Sequence, residues 1–377
     1  MTSITTSLPL QLFGTIEDIE GLTLEAMLCV DRDCPDEAML HWWGESNSGT
    51  GGALVKLMQN ASGVIDIKPL KLYRTNERRG LFLPNLNQSE VEYFQGFYGN
   101  IQQINNSFEG EWSHITGIKG QINFKLKQTT EDIKPVTCAN WEEFKAWARR
   151  ARDENNVAVF RGHGSNSFPL KTTLHRIGRH RLERYCSETL WDFKGHAEAL
   201  LDKRFNFSDG EEYSILLGLA QHHGLPTPLL DWTCSPYIAA FFAFSDALES
   251  LETRSDATHV RIYGLTNDFV QRYTPQSVEI PYIAPYFAYL DISKRNNPRL
   301  YAQQGRFLVT NVADVEHFLC DMQNKNNCNL LIAADVPIKY ASEALADLQF
   351  MGLSAATMFP GLDGVCKMLK HSMSNSF

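Results

Sequence analysis

Leu229-Leu-Asp-Trp-Thr-Cys-Ser-Pro-Tyr-Ile-Ala-Ala-Phe-Phe-Ala-Phe244 decides how the larger part of the chain is read. Ser235 suits a helix N-cap and Pro236 the first helical turn, so a strand or loop enters an apolar helix there. Asp231, Thr233 and Ser235 therefore lie at a helix entrance, a place suited to an anion or to ribose hydroxyls. Just upstream, Leu219-Ala-Gln-His-His-Gly-Leu-Pro-Thr-Pro228 carries His222 and His223 side by side. Two adjacent histidines could ligate a metal. No cysteine or histidine stands at ligand spacing from them, so structural hydrogen bonding is the preferred reading and no metal is expected.

Working outward, Asn140 is a plausible N-cap with Glu142 and Glu143 in the first turn. Trp141, Phe144, Trp147 and Ala148 recur at helical spacing and define one buried face. Asn156-Val-Ala-Val-Phe160 then reads as a short buried strand. Val159-Phe-Arg-Gly-His-Gly-Ser165 puts Arg161 at that strand's end. Its planar fork suits a phosphate, and Gly162 would let the ligand come close to the backbone. A solvated strand-end arginine is the plainer alternative. Further on, Asn297-Pro-Arg-Leu-Tyr-Ala-Gln-Gln-Gly-Arg-Phe-Leu-Val309 predicts a strand over 306–309 preceded by Gln303 and Gln304. The run from Leu353 to Leu369 predicts a loop leading into a short helix.

Residues 1–128 read differently. Gly120-Gln-Ile-Asn-Phe-Lys-Leu-Lys127 alternates Ile122, Phe124 and Leu126 with polar residues, the period of a half-buried antiparallel strand. Ala53–Leu57, Gly63–Ile67 and Leu70–Arg74 are further strand candidates. Ser46–Gly52 and Gly96–Gly99 supply turn chemistry. The expectation is a small β sandwich or barrel, lipocalin-like in shape if closed. Trp42, Trp43 and Trp112 either fill its core or line a ligand pocket. A polar stretch, 129–137, reads as the linker to a second domain at 138–377.

The chain has 377 residues with 44 acidic and 35 basic side chains, a net charge of −9 that argues against gripping long duplex DNA by bulk charge. Hydrophobic residues at 43% exclude a mainly disordered chain. No apolar run reaches the roughly 20 residues of a membrane span. Eight scattered cysteines form no Cys-x2-Cys pair, and with no secretory signal they point to a reducing cytoplasm. Arg149, Arg150, Arg152, Arg161, Arg176, Arg179, His180, Arg181 and Arg184 form a local basic cluster. It reads as a solvated helix face, or as the seat of a phosphate-rich partner.

Phe160-Arg161-Gly162, Leu174-His-Arg176, Gln221-His-His-Gly-Leu-Pro-Thr227, Leu229-Leu-Asp-Trp-Thr233, Ala302-Gln-Gln-Gly-Arg-Phe307 and Phe359-Pro-Gly-Leu-Asp-Gly364 together resemble the FRG domain family, in family order, over roughly residues 138–370. Pro228 stands where the family usually carries a basic residue. The motif order is in turn similar to that of ADP-ribosyltransferases, which implies an α+β fold with a mixed core behind the β-rich domain. The resemblance implies that Arg161 grips a phosphate of NAD. It places Trp232, Thr233 and Ser235 at the nicotinamide pocket, with Gly162 and His222 nearby, and Gln303 and Gln304 at the ribose.

A glutamine supplies no charge for the cationic sugar of such a transition state, so Asp231 becomes the candidate carboxylate. Buried turn-fixing is the alternative role for it. His175 and His163 are candidate acid–base groups, since an unperturbed imidazole titrates near neutrality. The implied function is an ADP-ribosyltransferase or NAD-cleaving effector, such as a bacterial toxin or anti-phage protein, with a protein or nucleic-acid target. The competing reading is a nucleotide- or nucleic-acid-binding module that turns nothing over. A third is that the N-terminal domain takes a lipid or small apolar ligand.

Overall fold

The computed structural model describes residues 8–45, 49–126, 133–249, 257–273, 279–290 and 298–374. Its N-terminal part is built from β1 (Gln11–Glu17), β2 (Thr23–Asp31), β3 (Cys34–Trp43), β4 (Gly51–Gln59), β5 (Ile65–Thr75), β6 (Leu81–Phe82), β7 (Phe97–Ile104), β8 (Ser107–His114) and β9 (Lys119–Lys125). Every pairing is antiparallel. The order β4-β3-β2-β1-β9-β8-β7-β5 closes on itself through β4–β5, and β6 hangs on the end of β5. Eight strands thus form a barrel, which leaves no open edge among them.

Alternation delivers the inward side chains. On β9, Ile122 and Phe124 point in, and Phe108 of β8 and Ile101 of β7 join them in one buried cluster. Gly63–Ile67 and Leu70–Arg74, expected as two strands, are both in β5. Leu70 is an extra residue at a bulge opposite Leu54 and Val55, which accommodates Pro69 within the strand. Gly96 ends the helix Gln88–Gln95 and leads straight into β7, so Gly96–Gly99 is no separate turn. The expected turn at Ser46–Gly52 lies partly outside the described residues; Gly51 and Gly52 open β4.

The second sheet contains β10 (Val136–Thr137), β11 (Val157–His163), β12 (Leu229–Thr233), β13 (His259–Thr266), β14 (Phe287–Leu290), β15 (Gly305–Thr310) and β16 (Leu331–Pro337). Their order is β10-β16-β13-β11-β12-β15-β14, antiparallel except for β10–β16. The end of the stretch read as linker is therefore a strand of this sheet. One sheet face carries Val159, Leu230, Trp232, Tyr263, Leu331 and Ala333. The other face carries two separate cores. Helices Trp141–Asp153, Pro236–Glu249 and Ala341–Phe350 cover its β11, β13 and β16 part. Helices Leu190–Leu201 and Gly210–His222 cover the β12, β14 and β15 part. Trp141 is fully buried and its indole N–H donates to Asp347 at 2.7 Å. Asn140 caps its helix through the Glu143 amide. The helix expected to be short after Phe359 runs 13 residues, Leu362–Ser374.

The barrel is stitched to the second sheet's domain. Met27, Cys29, Met39, Leu54 and Tyr73 face outward from the barrel yet are buried with Ile283. Gln11 Nε2 donates to the Asn311 carbonyl at 2.7 Å, and the Ala313 amide donates to Gln11 Oε1 at 2.8 Å. Part of the basic cluster also belongs here. Arg179 pairs with Asp33 at 2.6 Å, Arg181 with Glu37 at 3.1 Å, and Arg184 with Asp31 at 3.1 Å and Asp33 at 3.0 Å. Asp31, only 1% exposed, also accepts the His180 and Arg181 amides. These cations bridge the two domains rather than forming a solvated face. No helix among the described residues is long and apolar enough to cross a membrane.

Trp141→Ala should cost about 3–5 kcal/mol, because a large buried aromatic leaves a cavity and its N–H bond is lost; chemical denaturation measures this. Histidines dominate the response to mild acid. His41 is buried against the Ile283 carbonyl, and burial pushes its pKa down to about 4; burial does the same to His180. Above pH 6.5 both are neutral folded and unfolded, and no penalty exists. Between pH 6.5 and 4 only the unfolded chain takes up the proton, so stability falls with pH, by up to about 3 kcal/mol for each. The melting temperature should therefore drop across that window, and less so in His41→Gln. A flat profile from pH 7 to 4.5 would contradict the buried neutral assignment.

Candidate functional site

The two cores on one sheet face leave a cleft between them, at the seam of β11 and β12. These neighbours pair only at Phe160 and Thr233 and then part. β11 continues through Gly162 to His163, so Arg161 lies within the strand and not at its end, and it occupies the parting. Its Nη1 donates to the Asp231 backbone carbonyl at 2.5 Å, taking the place of the absent ladder bond. Its Nε donates to His163 Nε2 at 3.1 Å, which requires a neutral His163. Burial, reinforced by the charge on Arg161, holds the His163 pKa well below its ordinary value. His163 is thus a positioned acceptor for Arg161, and its imidazole stays uncharged near neutrality.

Burial likewise pulls the Arg161 pKa below the usual guanidinium value, opposed by the Asp231 charge and helped by Arg176. The Asp231 carboxylate is 3.9 Å from Nη1, too far for a tight pair. The Asp231 side chain is 57% exposed, so it faces the cleft and not the core. Gln221, at the end of its helix, donates to Asp231 Oδ2 at 2.8 Å, and Thr227 donates in turn to Gln221 Oε1. The carboxylate is oriented from behind and open in front.

The cleft has a volume of about 480 Å³, within the range of small-molecule sites. Its walls carry the cations Arg161, Arg299, Arg306 and Lys367, and Asp231 is its one carboxylate among the described residues. Phe359 forms part of the lining, with Arg299 at 4.6 Å and Lys367 at 4.9 Å from its ring centroid. Phe242 meets it edge-on. An anion entering here meets four cations set among apolar and neutral side chains.

Of the residues singled out from sequence, Arg161, Gly162, His222, Asp231, Trp232, Thr233 and Gln303 border this cleft. Gly162 is required for a reason other than ligand approach: a Cβ there would collide with the Ala239 carbonyl of the helix packed over it. Trp232 is 3% exposed, and strand alternation turns its ring to the opposite face, so it does not offer a stacking surface beside Asp231. Thr233 Oγ1 donates to the Gln303 carbonyl, and Gln303 Nε2 donates to the Met358 carbonyl at 3.0 Å. Both thereby fix the cleft's floor. Exposed His222 has its pKa lowered by partial burial and by Arg299.

Ser235, Gln304 and His175 do not border the cleft. Ser235 caps the helix through the Ile238 amide. Gln304 adopts a left-handed conformation, φ 47°, and its carbonyl accepts the Cys234 amide. His175 is 4% exposed, with Nδ1 2.9 Å from Thr172 Oγ1 and its ring against His180. Burial keeps its pKa well below the usual value. Reading the sequence did not find Gln221, Arg299, Arg306 or Lys367 as site residues, although the first three lie inside or beside the motifs named above. No group of three or more His, Cys, Asp or Glu able to hold a metal occurs among the described residues.

Residues 156–252 match the family model of the FRG domain. That span contains Arg161, Gln221, Asp231 and Phe242, whereas Arg299, Gln303, Arg306, Phe359 and Lys367 come from beyond it. No curated protein matches the chain.

Gly162→Ala should destabilise the chain by about 1–3 kcal/mol through overpacking of the helix Pro236–Glu249 against β11. An unchanged denaturation midpoint would mean that this helix can withdraw, and that the seam is looser than its close contacts imply.

Proposed function

We propose that the cleft binds a nucleotide through its phosphates and cleaves a nicotinamide–ribose bond, NAD being the substrate. One observation carries this reading. Asp231 is an oriented and open carboxylate at the edge of a cleft whose lining also carries Arg161, Arg299 and Arg306.

Arg161 is held by His163 and by the Asp231 carbonyl, so it can meet a phosphate without first being ordered. Arg299 and Arg306 add positive charge around the same volume, and Lys367, paired with Glu249 at 2.9 Å, lines it as well. As the glycosidic bond stretches, positive charge builds on the ribose. Asp231 then stabilises the sugar more in the transition state than in the ground state. Nicotinamide leaves uncharged, and water or an acceptor side chain takes the anomeric carbon. Transfer to a macromolecule would make the chain an ADP-ribosyltransferase of the toxin or anti-phage kind; transfer to water would make it an NAD-consuming effector.

A second reading rests on Gln303. Its amide is tied to the Met358 carbonyl, and a glutamine supplies no charge for a cationic sugar. On that reading the cleft holds a nucleotide, or a nucleic-acid end, as a sensor.

Purified chain incubated with NAD should release nicotinamide. Arg161→Ala should weaken binding by about 1.5–3 kcal/mol, the worth of a hydrogen bond to a charged group. Asp231→Asn, which preserves shape, should lower kcat and leave NAD affinity nearly intact. Binding without release in the wild type would favour the sensor. Neither binding nor release would reject nucleotide recognition at this cleft.

A further inference from the structure

One end of the barrel is packed and the other is hollow. Leu28, Val30, Ile101, Phe108 and Phe124, each no more than 1% exposed, fill the first end. The second end holds a cavity of about 870 Å³ that opens to solvent. Its wall includes Leu24, Leu40, Trp42, Val55, Leu72 and Trp112, with the small residues Ala53 and Gly99 among them. The Trp112 indole N–H already donates to the Glu17 carbonyl at 2.7 Å, which leaves this wall without that donor for water. Eight-stranded barrels are wide enough to hold one small ligand.

The mouth defines the ligand's polar end. Glu17, Asp18, Glu20 and Glu90 stand around it with one cation, Arg74. Arg74 is engaged by Glu90 at 3.0 Å, and Glu90 is fixed further by the Asn87 amide at 2.9 Å. An anionic head group would meet net negative charge there. Ile19 and Leu22 border the cavity at the same end while remaining 54% and 59% exposed. They form an apolar lip that an inserted chain would cover. Tyr93 and Phe94 of the helix Gln88–Gln95 close the remaining side.

We propose that the barrel binds one small amphiphile, its apolar part between Trp42 and Trp112 and its polar end, uncharged or cationic, at the acidic mouth. This site is separate from the cleft at Arg161 and does not depend on the reading of that cleft.

The test titrates the full chain with N-phenyl-1-naphthylamine, a neutral apolar fluorophore. Saturation at one molecule per chain is expected, with energy transfer from the two cavity tryptophans. Dodecanol and dodecyltrimethylammonium should displace it, and laurate should do so roughly tenfold less well, because of the carboxylates at the mouth. Ala53→Phe and Val55→Phe fill the cavity and should abolish saturable binding, each compared at unchanged circular dichroism and melting temperature. Glu20→Lys, on the rim, should shift the preference toward laurate, and this shift is the deciding measurement if both filled variants unfold. The proposal is overturned by absence of saturable binding in the wild type, by equal binding in a folded filled variant, by wild-type preference for laurate, or by an unchanged preference in Glu20→Lys when neither filled variant folds.

Discussion

The parting of β11 from β12 is the feature on which the candidate site depends. The parting leaves the Asp231 carbonyl without a β11 partner. Arg161 takes that place by donating to the Asp231 carbonyl, so the same guanidinium satisfies the backbone and presents a cation to the cleft. His163 must be neutral to accept from Arg161 Nε, and burial keeps it so. Gly162 lets the helix Pro236–Glu249 press directly against the strand. Phe-Arg-Gly-His is therefore one mechanical unit, in which each residue type is demanded by a different neighbour.

The cleft is also a place where two cores fail to merge. Trp141, Phe144 and Phe244 belong to one cluster, and Tyr185, Leu216 and Tyr286 to another on the same sheet face. Gln221 and Asp231 approach from one side, Arg299, Phe359 and Lys367 from loops and helices later in the chain. Charge in this arrangement is sorted by position. Arg179, Arg181 and Arg184 are paired with Asp31, Asp33 and Glu37 at the junction with the barrel. Of the cleft cations, Lys367 is paired with Glu249 at 2.9 Å, and Asp231 is the one carboxylate among the described lining residues. A net charge of −9 thus conceals a locally cationic pocket.

The barrel shows a comparable division. On β2, Leu28 and Val30 pack inside while Met27 and Cys29 pack against Ile283 outside. With both faces buried, β2 lost the polar alternation that marks β9, and periodicity alone could not flag it. Trp42 and Trp112 satisfy neither of two simple descriptions. Each is part of the barrel's inward face, yet each borders open volume.

Local rules in the sequence determined the Asn140 and Ser235 caps, the amphipathic helix at Trp141, the strands read at 156–160 and 306–309, which the structure extends to Val157–His163 and Gly305–Thr310, and the alternation of β9. Each depends on neighbours within a few residues, which is why spacing reveals it. The sequence also marked Arg161 and Asp231, because an arginine following an apolar strand run beside glycines and a carboxylate before a helix cap are local patterns. Only the tertiary structure decided which face of β12 each side chain takes, turning Asp231 to the cleft and Trp232 to the core. It alone brought Arg299 and Lys367 to Phe359, buried His175 away from the cleft, and paired the arginines of 179–184 with acids of the barrel. Those outcomes join residues far apart along the chain, and contact between them is settled by packing, which no local period encodes.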